Sequence, residues 1–342
     1  MSDGRRIAVL GSGANGSAIG ADLIAAGHDV TLIEQWPEHV RAIREHGLRI
    51  EMPDRTLAVE ATALDLCEVA TITEPFDVVL LVMKAYDADW AARLIAPRLA
   101  PGGLLAGVQN GMTTDVIAAA VGPQRTLGTV IEVSSEMTVP GVVERHSPPE
   151  RSWFAVGSID PATAGREREV ADLLACAGTV EVVDDIRAAK WMKLVSNCTT
   201  LVTTALLGLP MRAALAQPGM RELMVRCGQE ALDTGAAVGH EILPIFGLRA
   251  EQVSRPEEVV ETLLDVLYAG FVLEHTTTTI LHDWRKGRHS EVDDLNGHVV
   301  AEAERLGLAA PANRRVAELA HRVERGELTP DPSNLALLTA PL

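Results

Sequence analysis

Residues 7–34 read IAVLGSGANGSAIGADLIAAGHDVTLIE. An apolar strand, Ile7 to Leu10, runs into a glycine turn. A helix with Ile19, Leu23 and Ile24 on one face follows, and then a second strand that ends on Glu34. Each glycine of the G-x-G-x-x-G spacing has its own task. Gly11 permits the tight turn out of the strand, Gly13 lets backbone approach a pyrophosphate, and Gly16 lets the helix pack against the strand. The helix N-terminus then offers free N–H groups and a positive dipole end to phosphates. The whole loop, Gly11, Ser12, Gly13, Ala14, Asn15 and Gly16, is therefore the expected cofactor-binding segment.

An acid at the end of the second strand hydrogen-bonds the adenosine ribose hydroxyls and repels a 2′-phosphate. Glu34 stands there, and Gln35 and Trp36 supply no base, so this stretch favours NAD over NADP. Arg41 lies further along the next helix as the nearby cation to weigh against it.

With 342 residues, 47% of them hydrophobic, the chain has material for two cores. A net charge of −17 opposes nonspecific attraction to nucleic acid or to anionic membrane. Cys67, Cys176, Cys198 and Cys227 form no C-x-x-C pair and read as buried free thiols. The opening MSDGRR leads straight into the first strand, so a cytoplasmic location is expected. From Trp191 to Leu209 the one charge is Lys193, but serine, asparagine and four threonines in that span favour a buried helix over a membrane crossing.

Strand and helix alternate through the first half. Pro37 opens a helix closed by Gly47, and two β-like runs follow at Leu48–Met52 and Leu57–Ala63. Val78–Met83 is an uninterrupted apolar run, as a strand buried on both faces requires. Helical spacing over Ala88–Leu99 stops at Pro101-Gly102-Gly103, ahead of a strand at Leu104–Val108. From Asp185 the helical pattern is nearly continuous. The fold class expected is α/β: a Rossmann-like, mostly parallel sheet domain over residues 1–184, then an all-helical substrate and dimerisation domain over 185–342. Ser254 to Glu257 reads as a capping box, Gly287 as the stop of a long helix, and the segment from Leu328 as loop.

Lys193 and Asn197 are one helical turn apart and project from one face of the first long helix after the boundary. A lysine with no charged neighbour for many residues either snorkels to the surface or serves as a proton donor in a partly desolvated site. Lys190, one turn earlier, competes for that role but has no asparagine at the matching offset. Glu291 reads as an acid at the start of a new helix, beside Asp293 and Asp294. His275, His282 and His289 recur every seven residues, a spacing that invites a metal, but Gly287 interrupts the stripe and no metal is expected. Ser134, Ser135 and Ser290 lack the histidine and acid of a nucleophilic triad.

These motifs, in this order, resemble the ketopantoate reductase family from Ile7 to about Val323. GSGANG at 11–16 is similar to its opening glycine loop, AGHDVTLIE at 26–34 to its second strand, and VMKAYD at 82–87 to its lysine-bearing strand end. VQNGM at 108–112 resembles its Gln-Asn-Gly turn, KLVSN at 193–197 its Lys-x-x-x-Asn helix, and DWRKGRHSEVD at 283–293 its Asp…Gly-Arg…Glu-x-Asp segment. The resemblance implies hydride transfer between NAD(P)H and the keto carbon of a 2-oxo acid, with Lys193 as general acid. It implies that Asn110 orients carbonyl and nicotinamide and that Lys84 lies near the cofactor. Asn197 is implied to bind substrate polar groups, and Glu291 a substrate hydroxyl while helping to place the lysine.

The chain departs from the family in places. Leu201 stands where a second asparagine is usual, and Thr278-Thr279-Ile280 replaces Ser-Ser-Met. Leucine removes an amide from the substrate region and makes it more apolar, while Thr279 keeps the hydroxyl that a carboxylate needs. Two other readings stay open: an NAD-dependent dehydrogenase oxidising a less polar hydroxy compound, and an NAD(H)-sensing protein without catalysis. A homodimer acting on a small molecule, with neither nucleic acid nor membrane as partner, completes the expectation.

Overall fold

The structure, a computed structural model, describes residues 4–341. Its described residues divide into two compact units, 4–109 with 113–187, and 110–112 with 188–341.

In the first unit the strands are β1 (Arg6–Leu10), β2 (Asp29–Glu34), β3 (Leu48–Glu51), β4 (Thr56–Val59), β5 (Thr62–Asp65) and β6 (Phe76–Leu81), then β7 (Leu99–Val108), β8 (Thr126–Glu132), β9 (Ser135–Val139), β10 (Val142–Arg145), β11 (Trp153–Ser158) and β12 (Thr179–Val182). Helices α1 (Ala14–Ala25), α2 (Pro37–His46), α3 (Ala88–Ile95), α4 (Thr114–Val121) and α5 (Glu167–Leu174) connect them. The main sheet has eight strands in the order β12-β11-β8-β7-β6-β1-β2-β5. It is parallel except where β11 runs antiparallel to β8. The α/β expectation holds.

β1 sits between β6 and β2, paired parallel to both. Its side chains alternate between two cores: Ile7 and Val9 join one apolar cluster, Ala8 and Leu10 the other, and all four are fully buried. A strand buried on both faces has to read as an unbroken apolar run. Each large side chain so buried contributes roughly 1.5–3 kcal/mol, which fixes the level from which the glycine turn leaves the sheet.

Two strand readings are corrected. Leu57–Ala63 is two strands: β4 pairs antiparallel with β3, while β5 pairs parallel with β2 at the edge of the main sheet. Pro101-Gly102-Gly103 does not break the chain before Leu104 but lies inside β7, where the pairing with β6 shifts register. A second sheet, β4-β3-β10-β9, was not foreseen. Its central pair, β3 and β10, runs parallel, and the fully buried Arg145 on β10 forms an ion pair with Asp22 of α1.

The second unit is helical: α6 (Ile186–Ala205), α7 (Met211–Leu215), α8 (Met220–Val238), α9 (Pro256–Gly270), α10 (Thr279–Arg285), α11 (Asn296–Arg305), α12 (Pro311–Glu324) and α13 (Leu335–Leu338). Among the described residues no strand follows β12, and no helix is long and apolar enough to cross a membrane. The polar run of α6 stays in a buried helix because its hydroxyls bond back along it. Thr199 and Thr200 donate to the Ser196 carbonyl at 2.6 and 3.2 Å, and Thr204 donates to Thr200 at 2.7 Å.

Four local readings in this half and one thiol are also corrected. The helix before Gly287 is the seven-residue α10, not a long one. The capping box does not form, since α9 begins at Pro256 with Arg255 as its cap and the Ser254 hydroxyl donates instead to the Glu251 carbonyl. The segment after Leu328 contains α13. Glu291 lies in the turn that precedes α11 rather than at a helix start. Cys198 and Cys227 are buried and Cys176 is half-buried, but Cys67 is exposed.

Candidate active site

The glycine loop follows β1. Gly11 has φ +93°, and a Cβ there would strike Met83 at 2.4 Å from its side chain and 2.8 Å from its backbone nitrogen. At Gly16 a Cβ would come within 2.1 Å of the Gly11 carbonyl oxygen, so only glycine lets α1 approach its own turn this closely. Gly13 is different: a Cβ there meets nothing within 4 Å, so the loop's backbone is open at that point. Gly13 caps α1, with no side-chain bond to the first turn and no acid in it. Among the described residues, Ser12 Oγ and Asn15 Oδ1 are buried with no hydrogen-bond partner. An open backbone at a helix N-terminus, beside a serine hydroxyl that still lacks a partner and can donate, fits a dinucleotide pyrophosphate. Ala14 is the first residue of that helix.

Glu34 ends β2, nearly buried at 6% exposure. Its Oε1 accepts hydrogen bonds from the backbone N–H of Gln35 and Trp36 at 2.9 and 3.1 Å, so the carboxylate is anchored where the chain turns. Arg41 is exposed on α2. Lys84 follows β6 in a half-buried position. Gln109, which sequence reading quoted but gave no role, holds the backbone there: its Nε2 donates to the carbonyls of Met83 at 2.9 Å and Lys84 at 3.3 Å.

In the helical unit, Lys193, Asn197 and Leu201 follow one another at single-turn intervals on one face of α6. Lys193 is 8% exposed, Asn197 is buried and Leu201 is half-buried. Asn197 Nδ2 donates to Asn110 Oδ1 at 3.0 Å, so two asparagines 87 positions apart in sequence are brought together. The Lys193 ammonium lies 5.0 Å from the centroid of the Phe246 ring, a cation–π contact that sequence reading gave no sign of.

Lys190 is fully enclosed, and desolvation pushes its ammonium down to about 7 against the opposing charge of Glu291. Glu291 is itself buried. Asp294, beside it, is pushed up to about 6 by burial and by the neighbouring charges of Glu291 and Asp293. Thr278 caps α10, its hydroxyl accepting from Leu281 N at 3.4 Å, and Thr279 opens that helix half-buried. The three histidines do not share a helix. His275 precedes α10, His282 lies within it with Nε2 2.5 Å from the Thr277 hydroxyl, and His289 follows it with Nδ1 3.4 Å from Glu324.

Residues 7–158 match the family described as "Ketopantoate reductase PanE/ApbA", and residues 185–324 match "Ketopantoate reductase PanE/ApbA C terminal". The chain belongs to the ketopantoate reductase family. A 2-dehydropantoate 2-reductase of Halobacterium salinarum is 29% identical over 94% of this chain and 99% of its own length. A PanE/ApbA family ketopantoate reductase of Ralstonia eutropha JMP134, solved by crystallography, is 27% identical, with TM-score 0.78 over 96% of this chain and 99% of that one. A structure of D-mandelate dehydrogenase shares the fold at TM-score 0.83 and 20% identity, over 95% of this chain and 99% of that one. As a member of the ketopantoate reductase family the chain is an NAD(P)H-dependent oxidoreductase that acts on a 2-oxo acid.

Proposed function

We propose that this reductase protonates its substrate with Lys193, binds the substrate through Asn197 and Asn110, and prefers NADH. The observation that carries the reading is the α6 face on which a nearly enclosed lysine stands one turn from an asparagine bonded to Asn110. The nicotinamide, when bound, supplies a hydride to the keto carbon. The oxygen then gathers negative charge, and the Lys193 ammonium neutralises it and gives up a proton, so a 2-oxo acid becomes a 2-hydroxy acid. Asn110 spends its side-chain oxygen on Asn197, which leaves its amide N–H groups to orient the carbonyl. Glu291 holds charge balance around the enclosed lysines and accepts from a substrate hydroxyl. Thr279, at the start of α10, faces the carboxylate, with Thr278 keeping that helix end formed. Ser12, Gly13 and Asn15 hold the pyrophosphate, and Lys84 the cofactor's nicotinamide half.

Glu34 supports NADH. An anchored, nearly buried carboxylate at the end of β2 repels a 2′-phosphate and accepts from ribose hydroxyls. Leu201 favours a second reading of the substrate, a 2-oxo acid less polar than ketopantoate, since it puts a half-buried apolar side chain one turn beyond Asn197. The D-mandelate dehydrogenase structure, which contains NADH and anilino(oxo)acetate, suggests aromatic acids for the test set. A cytoplasmic homodimer belongs to the same reading, supported by four free cysteines and an apolar helical second half.

The experiment is a panel of 2-oxo acids and 2-hydroxy acids, ketopantoate and aromatic members included, assayed with NADH and NADPH. Reduction of ketopantoate with the best kcat/KM establishes it as substrate. A higher kcat/KM for the aromatic acids establishes the second reading. No turnover of any member with either cofactor sinks both.

A further inference from the structure

His39, in the first turn of α2, is fully buried and stacks on Trp36, ring centroids 6.1 Å apart. Its Nδ1 accepts the backbone N–H of Gly141, at the turn between β9 and β10, at 2.8 Å. An imidazole nitrogen that accepts carries no proton, so the ring hydrogen sits on Nε2. Nε2 lies 3.0 Å from the hydroxyl of Ser17 on α1, and the Ser12 carbonyl is a further acceptor for it. The Ser17 hydroxyl in turn donates to the Ser12 carbonyl at 2.6 Å. The direction of every bond is therefore fixed: Gly141 N–H to His39, His39 to Ser17, Ser17 to Ser12. Burial keeps the ring neutral by pushing it down to about 4, as an accepting Nδ1 requires.

The consequence lies in one peptide unit. The Ser12 carbonyl and the Gly13 N–H belong to the same planar group and point in opposite directions. Holding the carbonyl toward Ser17 turns the Gly13 N–H the other way, at the one loop glycine where an added Cβ would meet nothing within 4 Å. On the opposite flank the N–H groups of Gly11 and Ser12 both donate to the Ile33 carbonyl, at 2.8 and 3.2 Å. The loop is pinned on both sides, with the Gly13 N–H held opposite to the Ser12 carbonyl.

We propose that His39 and Ser17 are positioning residues for the dinucleotide: they set the orientation of the Gly13 amide that a cofactor phosphate meets. The proposal rests on the reading that the phosphates lie on the glycine loop. Neither residue touches cofactor or substrate; both act through the Ser12–Gly13 peptide.

NADH binding to the full-length protein, followed by fluorescence titration, tests it alongside steady-state kinetics. Ser17→Ala and His39→Leu each raise the NADH dissociation constant about 10-fold, the scale of one lost oriented hydrogen bond, while kcat at saturating NADH stays within about twofold of the parent. His39→Gln restores binding, because its amide oxygen accepts from Gly141 and its nitrogen donates to Ser17. Should His39→Leu fail to fold, Ser17→Ala, which deletes one hydroxyl, carries the test alone. An unchanged NADH dissociation constant in Ser17→Ala, or weakened binding that His39→Gln does not restore, overturns the proposal and leaves the cofactor assignment standing. Failure of the parent protein to bind NADH or NADPH overturns the assignment of the loop, and the proposal with it.

Discussion

The Lys193 ammonium rests over the Phe246 ring, 5.0 Å from its centroid, and Phe246 has a φ of +60°, the one positive value among the described non-glycine residues. For a bulky aromatic residue that backbone costs about 1–3 kcal/mol and persists where the surroundings over-determine it. Here a second ring, Phe271, packs at 5.5 Å between centroids. A strained residue that holds an aromatic face against the proposed proton donor is best understood as fixing where that donor stands. Phe246→Leu is expected to lower kcat about 10-fold, since a partly desolvated cation–π contact is worth roughly 1–2 kcal/mol. NADH affinity is expected to stay unchanged. A kcat equal to the parent's would show that the ring is only packing.

Lys193→Ala removes the proposed donor itself. General acid catalysis supplies about 10²–10⁴-fold, so turnover of the best 2-oxo acid is expected to fall by that order while the NADH dissociation constant moves less than about twofold. Equal losses in both quantities would mean that the lysine supports the fold and not the chemistry. Lys193→Arg is expected to recover little, because a planar fork does not replace a compact ammonium in an enclosed site.

Glu34 is tested by its sign. Glu34→Ala removes the carboxylate that Gln35 and Trp36 anchor. It is expected to narrow the NADH-over-NADPH ratio of kcat/KM by about 10-fold, by weakening NADH and relieving the repulsion of a 2′-phosphate. A parent enzyme that already favours NADPH would defeat the cofactor preference before any variant is made.

The parts legible in the sequence share a physical property: they are local. The β1-α1-β2 unit announces itself because strand period, glycine spacing and terminal acid lie within residues 7–34, and Lys193 with Asn197 is a single-turn relation on one helix. What stayed hidden depends on residues far apart in the chain. The second sheet pairs β3 with β10, segments some 90 positions apart that are each four residues long, too short to carry a period of their own. Asn197 meets Asn110 across 87 positions. Phe246 gave no signal because a positive φ is a backbone angle that no residue type but glycine advertises. Glu291 was misplaced because an acid after a glycine looks like a helix start, whereas the chain makes a turn first and enters α11 only at Asn296.

Lys190 yields a prediction in stability rather than rate. Its ammonium ordinarily titrates at 10.5, and burial brings it down to about 7 with Glu291 opposing the shift. Between those values the unfolded chain holds a proton that the folded chain has released. Stability attributable to this group therefore rises with pH across that window, by up to about 1.4 kcal/mol per pH unit, and is flat below 7. Other groups titrate in the same range, so the quantity to measure is the difference between the parent and Lys190→Met in urea unfolding at a series of pH values from 6 to 10. The variant is expected to lose the upward slope, and relative to the parent to look best near neutral pH, where the parent still has a partly charged lysine enclosed in the helical unit. Parallel curves for the two proteins would show that Lys190 titrates in the folded state as it does in water, and that burial does not lower its ammonium.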